Sequence, residues 1–274
     1  MIYYIICAIK SEIMLGFLFF LSILFFIVIS YLLGSIPFGV IIAKTKHVEI
    51  MKLGSGSIGA TNVTRNTSGK LGFLTLFFDF LKGYLAVLFS VLIFHLLIVY
   101  NQLFFSHLFI IAYISSFFVV LGHCFSIFIK FKGGKGVSTS GGVILAISPS
   151  LFLVVTIILI IIFLGFKIVS LGSLITAGAV VGLSFIPWLN YYYLQLINES
   201  YLYFNKILDL SIDTYFNVLG SSIILLFTMI LIISKHKENI NRLIKKRERI
   251  FQVGKDDLNQ QNLTKHHKEV KNEK

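Results

Sequence analysis

The sequence predicts an all-α, polytopic membrane protein of seven transmembrane helices, with its N-terminus outside and its C-terminus in the cytoplasm. Three observations predict it. Of 274 residues, 57% are hydrophobic and 13% charged, with a mean hydropathy of +0.89; a water-soluble domain of that length needs far more polar surface. Apolar runs recur that are long enough to cross a bilayer, which takes about 20 helical residues. The basic residues gather between alternate runs, as they do in cytoplasmic loops. A formal net charge of +12 in so apolar a chain therefore marks sidedness, and no nucleic-acid partner is expected. Cys7 and Cys124 are too few for a disulfide framework and lack metal-ligand spacing, so no metal site is expected.

The first helix is expected over 14–43, interrupted near Gly34-Ser35-Ile36-Pro37. It lacks a small-residue cleavage site and reads as a retained helix, not a cleaved signal. The second covers 71–100, with Asp79 and Lys82 in its first half. The third covers 103–121, after a short turn at Asn101-Gln102. The apolar stretch 137–187 is punctuated at Ser148-Pro149 and at Gly165-Phe166-Lys167, which divides it into 137–147, 150–166 and 168–187. The last helix is 218–233.

Charge sets the orientation. Segment 44–70 holds Lys44, Lys46, Lys52, Arg65 and Lys70 against Glu49; segment 122–136 holds Lys130, Lys132 and Lys135 with no acid. Segment 188–217 holds Lys206 against Glu199, Asp209 and Asp213. The positive-inside rule puts the first two and the C-terminal region in the cytoplasm and 188–217 outside. An odd number of crossings through 137–187 follows; two ordinary helices would fit its length but would return 188–217 to the cytoplasmic side. Residues 1–248 read as one membrane-embedded domain that includes a short surface helix over 235–248. Residues 249–274 read as a basic, disordered cytoplasmic tail.

Three cytoplasmic patches carry candidate chemistry. In the first, Gly54, Ser55, Gly56, Gly59, Thr61, Asn62 and Arg65 fall within twelve positions. Glycines let backbone N–H groups converge, hydroxyls add donors, and arginine presents a planar fork to phosphate. The letters also fit G-x-G-x-x-G, but a loop between membrane helices offers no βαβ unit for a dinucleotide. In the second, Lys132, Gly133, Gly134 and Lys135 precede a helix start, a plausible anion site; Ile129 stands where a Walker loop would need its leading glycine. In the third, His236 and Asn239 lie at i and i+3 on one helical face. Each patch has a plain alternative: a hydroxyl-rich connector, lysines marking topology, an interfacial histidine of structural origin. Ser170 and Ser173 could simply bond neighbouring helices, and Asp79 with Lys82 could form a structural bridge. No His-x4-Asp, His-Glu-x-x-His or paired carboxylates occur. The loops hold almost no carboxylate base, so the expected chemistry is charge stabilisation on anionic substrates.

Taken in order, Tyr31 to Gly39, Gly54 to Arg65, Asp79 to Gly83, Gly122 to Phe125, Lys130 to Gly136 and His236 to Asn239 closely resemble the bacterial acyl-phosphate:glycerol-3-phosphate acyltransferase family, from about residue 20 to 248. The resemblance implies a seven-helix, multi-pass enzyme of the bacterial inner membrane with its active site facing the cytoplasm. It would move an acyl chain from acyl phosphate to the 1-hydroxyl of glycerol 3-phosphate, giving lysophosphatidic acid and phosphate, among membrane lipids and with no cofactor. By position it assigns catalytic roles to Ser55, Arg65, Lys135, His236 and Asn239. Substrate binding falls to Gly54, Gly56, Gly59, Thr61, Asn62, Lys132, Gly133, Gly134 and either Ser170 or Ser173, with Lys132 and Lys135 not separable in importance. Nothing in it demands more than one copy of the chain. Ser57 departs from the family's usual Asn, loop 188–217 is long, and the two chain ends have no family counterpart.

Acyl phosphate is already activated, so no strong protein nucleophile is needed, and holding the hydroxyl at the carbonyl supplies much of the acceleration. A substrate phosphate oxygen is the expected proton acceptor, with His236 orienting substrate or, alternatively, acting as the base. The rival reading is a transporter or channel for an anionic solute, which the breaks at Ser148-Pro149 and Gly165 would suit; the absence of an internal repeat and of a chain of intramembrane charges argues against it. A transferase using another activated lipid is a second rival.

Overall fold

The structure, a computed structural model, describes residues 2–98, 108–185 and 214–251. Residues 1, 99–107, 186–213 and 252–274 lie outside it, and with them the expected end of the second helix, the start of the third, the last residues of the sixth, most of the outer loop and most of the tail.

Helices account for the regular structure among the described residues: α1 Ile2–Ser35, α2 Phe38–Lys44, α3 Ala60–Asn66, α4 Gly69–Ile98, α5 Leu108–Cys124, α6 Val137–Ile147, α7 Pro149–Phe166, α8 Val169–Ser184, α9 Thr214–Lys235 and α10 Lys237–Ile244, with single 3-10 turns at Ile50–Lys52 and Ile127–Ile129. The breaks expected inside 137–187 fall where the residues demand them. Ser148 caps α7, its hydroxyl accepting the Leu151 N–H, and Pro149 takes the first helical position, where its missing N–H is harmless. Lys167, left-handed at φ 55°, ends the same helix.

Other boundaries differ from expectation. The first helix starts at Ile2, not near 14, because Lys10, Ser11 and Glu12, which interrupt the apolar run, are tolerated within a helix and residues 2–9 are again apolar. At its other end Pro37, with no N–H, splits it into α1 and α2. The freed carbonyls find partners: Ser126 donates its hydroxyl to Ser35 O, and Lys82 Nζ donates to Ile36 O at 2.9 Å. Non-helical backbone at membrane depth persists only when so satisfied. α5 runs on to Cys124, which puts Gly122 and His123 in its last turn and not in the following loop. Segment 44–70 contains a helix, α3, that hydropathy could not show. The surface helix is shorter than expected and stops at Ile244, so that Glu248 folds back.

Among the described residues, four helical stretches are long and apolar enough to cross a membrane: Gly16–Lys44, Gly69–Ser90, Ile111–Ile129 and Pro149–Phe166. Val137–Ile147, Val169–Ser184 and Ser222–Lys235 are shorter; eleven residues of α6 rise only about 16 Å, half a hydrocarbon core. The outer surface is apolar, with Phe17, Leu21, Phe25 and Val28 of α1 and Ile157, Ile161 and Leu164 of α7 all exposed. Within, α5 packs against α1, α4 and α9 around Phe26, Val87, Ile111, Val119 and Val143. α1 and α5 approach so closely that a Cβ on Gly34 would strike the Val119 carbonyl and one on Gly122 the Tyr31 carbonyl, the small-residue contact by which membrane helices associate. We expect Gly122→Leu to force this contact open and lower stability by about 1–3 kcal/mol, read as a fall in thermal unfolding temperature in detergent.

Candidate active site

Asn62 organises the first patch. Buried near the start of α3, its amide nitrogen lies 2.8 Å from Ser57 O, 3.1 Å from Leu53 O and 3.2 Å from Ile50 O, while its Oδ1 accepts from the Ser55 N–H at 3.1 Å and Asn66 Nδ2 at 3.0 Å. Segment 50–57 is thus wrapped around one side chain. Gly54 and Gly56 supply the left-handed corners this requires, at φ +59° and +66°. Asn62, expected to touch substrate, has its polar atoms engaged in shaping the loop. Ser55 is left exposed at the crest, and Thr61 and Arg65 lie one helical turn apart on α3.

The second and third patches meet through hydrogen bonds. Lys135 Nζ donates to Asn239 Oδ1 at 2.6 Å; Asn239 Nδ2 donates to Glu248 Oε1 at 2.6 Å; Ser170 Oγ donates to the same oxygen at 2.9 Å; Arg242 Nε donates to Glu248 Oε2 at 2.7 Å. The chain beyond Glu248 continues across the site. Arg65 Nη2 donates to the carbonyls of Arg249 and Ile250, each at 3.4 Å, the Phe251 N–H donates to Lys167 O at 2.7 Å, and the Phe251 ring stands edge-on to Phe163. Arg249 to Phe251, read from the sequence as the start of a free tail, therefore pack against the domain.

These groups line one cavity of about 560 Å³. Gly54, Ser55, Gly59, Thr61, Asn62, Arg65, Lys135, Ser170, Ser173, His236 and Asn239 all face it. Its α9 wall runs from His236 back through Ile232 and Met229 to Leu225, about 16 Å of helix, and Phe80, Ile144, Phe152 and Val180 complete an apolar surround. A second recess of about 180 Å³ shares Ser55, Lys135, Asn239 and Arg242 and adds Gly56, Gly133, Gly134 and Lys235. Lys132 faces neither. It is exposed, so of the two lysines the structure brings only Lys135 into the site. Ser170 bonds Glu248, whereas Ser173 returns its hydroxyl to Val169 O.

Residues not assigned to the site from the sequence also line the cavity: Asp79, considered there only as a bridge with Lys82, and His123, Arg242 and Glu248. Glu248 supplies a carboxylate where almost none was expected in the cytoplasmic segments; a lone acid in the basic run 245–249 was the available signal. Asp79 does pair with Lys82, Nζ to Oδ1 at 2.8 Å. Arg65, Lys135, Arg242 and Arg249 face the carboxylates Asp79, Glu238 and Glu248 across the cavity, and since Lys82 already matches Asp79 the space is electropositive.

Burial pushes the Lys135 ammonium down to about 8, the nearby Glu248 carboxylate only partly opposing it. Burial likewise lowers His236 to about 4, against the support of the Ile232 carbonyl 2.8 Å from Nδ1. His236 is therefore neutral at pH 7, with its proton on Nδ1 toward that carbonyl and the Nε2 lone pair available. For Glu248, burial works upward, but the hydrogen bonds from Arg242, Ser170 and Asn239 outweigh it and hold the carboxyl below its ordinary range.

An electropositive, hydroxyl-lined pocket opening among apolar helices defines a polytopic membrane protein built to take phosphate-bearing amphiphiles. The profile of the glycerol-3-phosphate acyltransferase family matches residues 24–246, and the chain belongs to that family. It is 34% identical over 254 residues to the glycerol-3-phosphate acyltransferase of Malacoplasma penetrans, covering 83% of this chain and 93% of that one. It is 37% identical over 232 residues to that of Aquifex aeolicus, covering 83% and 98%. Its fold matches the crystal structures of PlsY, an integral membrane glycerol 3-phosphate acyltransferase, in a glycerol 3-phosphate form and a lysophosphatidic acid form. The TM-scores are 0.64 and 0.63, each at 34% identity over 84% of this chain and 96% of the other.

Two outcomes for inorganic phosphate follow. Lys135→Ala weakens its binding by about tenfold to a hundredfold, the worth of a hydrogen bond to a charged group, while Lys132→Ala changes it less than about twofold. Because Lys135 is charged below about pH 8 and neutral above it, binding falls as pH rises from about 8 to about 10, a range in which inorganic phosphate is already mostly dianionic and Lys135 alone changes its charge. Lys135→Arg, which stays charged, abolishes that fall. Calorimetric titration across pH checks both.

Proposed function

We propose that this protein transfers an acyl group from acyl phosphate to the 1-hydroxyl of glycerol 3-phosphate, at a site on the cytoplasmic side of the membrane. The observation that carries this is the gathering of Ser55, Arg65, Lys135, Ser170, His236 and Asn239, from four distant stretches of chain, around a space whose remaining walls are apolar. Two recesses sharing Lys135 and Asn239 suit a reaction in which both substrates bring phosphate and one brings a fatty chain.

The hydroxyl oxygen attacks the acyl carbonyl, the carbonyl carbon's bond to the phosphate oxygen breaks, and the hydroxyl proton passes to a phosphate oxygen of substrate. The products are lysophosphatidic acid and phosphate. Arg65 and Lys135 stabilise the oxyanion and the departing phosphate in a partly desolvated site, where fixed charges act strongly. Ser55 and Asn239 orient the substrates. His236 is poorly suited to be the obligatory base: a group held near 4 is a weak base at neutral pH. Its Nε2 lone pair is suited to accepting a hydrogen bond from substrate.

The topology that accompanies this reading has seven crossings, with α1 and α2 together as the first and the short helices α6, α8 and α9 completing the count. It puts the N-terminus outside and segments 44–70, 122–136 and 236–251 in the cytoplasm. What supports it is that all three segments line one cavity and all three are basic.

Purified protein in detergent with glycerol 3-phosphate is expected to release phosphate from palmitoyl phosphate and to show no turnover with palmitoyl-CoA. Turnover with the thioester would assign a different donor, and none with either would favour transport. His236→Gln is expected to keep turnover within about tenfold of the parent, against the loss of about 10²–10⁴ that follows removal of a general base, while Arg65→Ala abolishes it.

A further inference from the structure

The buried group Asp79, Lys82 and His123 has no part in the transfer step above, yet Asp79 and His123 line the main cavity. The three are 1%, 6% and 3% exposed, and charge at this depth needs a reason. Part of the reason is the joint between helices: Lys82 holds both Asp79 and the Ile36 carbonyl freed by Pro37. That joint is complete without an imidazole. His123 Nδ1 stands 3.4 Å from Asp79 Oδ1 and makes no hydrogen bond there.

What His123 does touch is the second loop. Its backbone carbonyl accepts the Gly134 N–H at 3.0 Å. Its ring fills the space a side chain at position 134 would take, since a Cβ on Gly134 would collide with Nε2. A Cβ on Gly133 would likewise collide with the His123 carbonyl. The glycine pair therefore lies directly on this residue, and Lys135 follows it into both recesses. Donors aimed at a phosphate act only within a few tenths of an ångström of their best distance.

We infer that His123 is a positioning residue for a phosphate-bearing substrate: its ring, backed by Asp79, sets the height of the Gly133-Gly134-Lys135 loop over the cavity. This rests on the acyl-transfer reading only for which substrate feels the change.

A size-exchange cycle tests it. His123→Ala removes the support, Gly134→Ala lifts the loop off the ring, and in the double variant the added methyl enters the vacated space. Each single change is expected to raise KM for glycerol 3-phosphate or for palmitoyl phosphate by about tenfold, with kcat within about threefold. The double variant returns that KM to within about threefold of the parent, a coupling of the size contacting residues show. Two results would overturn the inference: single effects that multiply in the double variant, or kcat falling in His123→Ala with both KM values unchanged. Should His123→Ala fail to fold, the same cycle with His123→Asn, which is also shorter than the ring, decides between the same results. The shift in thermal unfolding caused by inorganic phosphate is measured for every variant and follows the same pattern without turnover. Failure of the donor assignment is seen in the parent enzyme alone and is thereby separated from failure of the loop's support.

Discussion

One carboxylate ties the site together. Glu248 accepts hydrogen bonds from Ser170, Asn239 and Arg242, and Asn239 in turn accepts from Lys135. Through these four contacts α8, α10, the loop before α6 and the segment after α10 share one geometry. Lys135, Arg242 and Arg65 would otherwise repel one another in a poorly hydrated space, where like charges are costly. A carboxylate at their centre lets them be held near each other before any substrate arrives. Such preorganisation is what makes fixed charges effective in catalysis. A carboxylate so fully engaged is also a poor candidate to take a proton from substrate, which accords with the proposed use of a substrate phosphate oxygen as the acceptor.

The backbone obeys the same requirement of satisfaction. Pro37 ends α1 within the membrane-facing bundle, and of the carbonyls at the break Ser35 O is answered from the turn after α5 and Ile36 O from α4 as well as by the Phe38 N–H. The break therefore belongs to the architecture of the site: α2 beyond it packs on α4, and Gly39 lies directly on the Ile58 carbonyl of the first loop. Asn62 completes this support from the loop's interior.

How much of this was legible beforehand depended on the kind of signal. Helices α6, α7 and α8 were divided correctly because Ser148-Pro149 and Gly165-Phe166-Lys167 carry local, chemically specific stop and start signals. The first helix was placed too late because Lys10-Ser11-Glu12 end the apolar run without ending the helix, Lys and Glu being good helix formers. Helix α3 escaped because seven polar and small residues have no hydropathy period, and its fold comes from Asn62 bonding back to the loop. The cationic members of the site, Arg65 and Lys135, stood out through glycine-rich surroundings. Glu248 and Arg242 did not, since a basic run with one acid in it has the composition of a solvated tail. Lys132 and Lys135 differ by three positions and by nothing in composition; only the path of the loop separates an exposed side chain from one that enters the cavity.

Asp79 and Lys82 sit three residues apart on α4 and neutralise each other within that single helix. Such a segment carries no net charge into lipid, so it can be handed from the translocation machinery to the bilayer before any later helix exists to receive it. His123, which stands beside the pair on α5, arrives only afterwards. The order of synthesis thus runs in step with the order of dependence: the ionic footing is laid by one helix, and the anion loop is set upon it by the next.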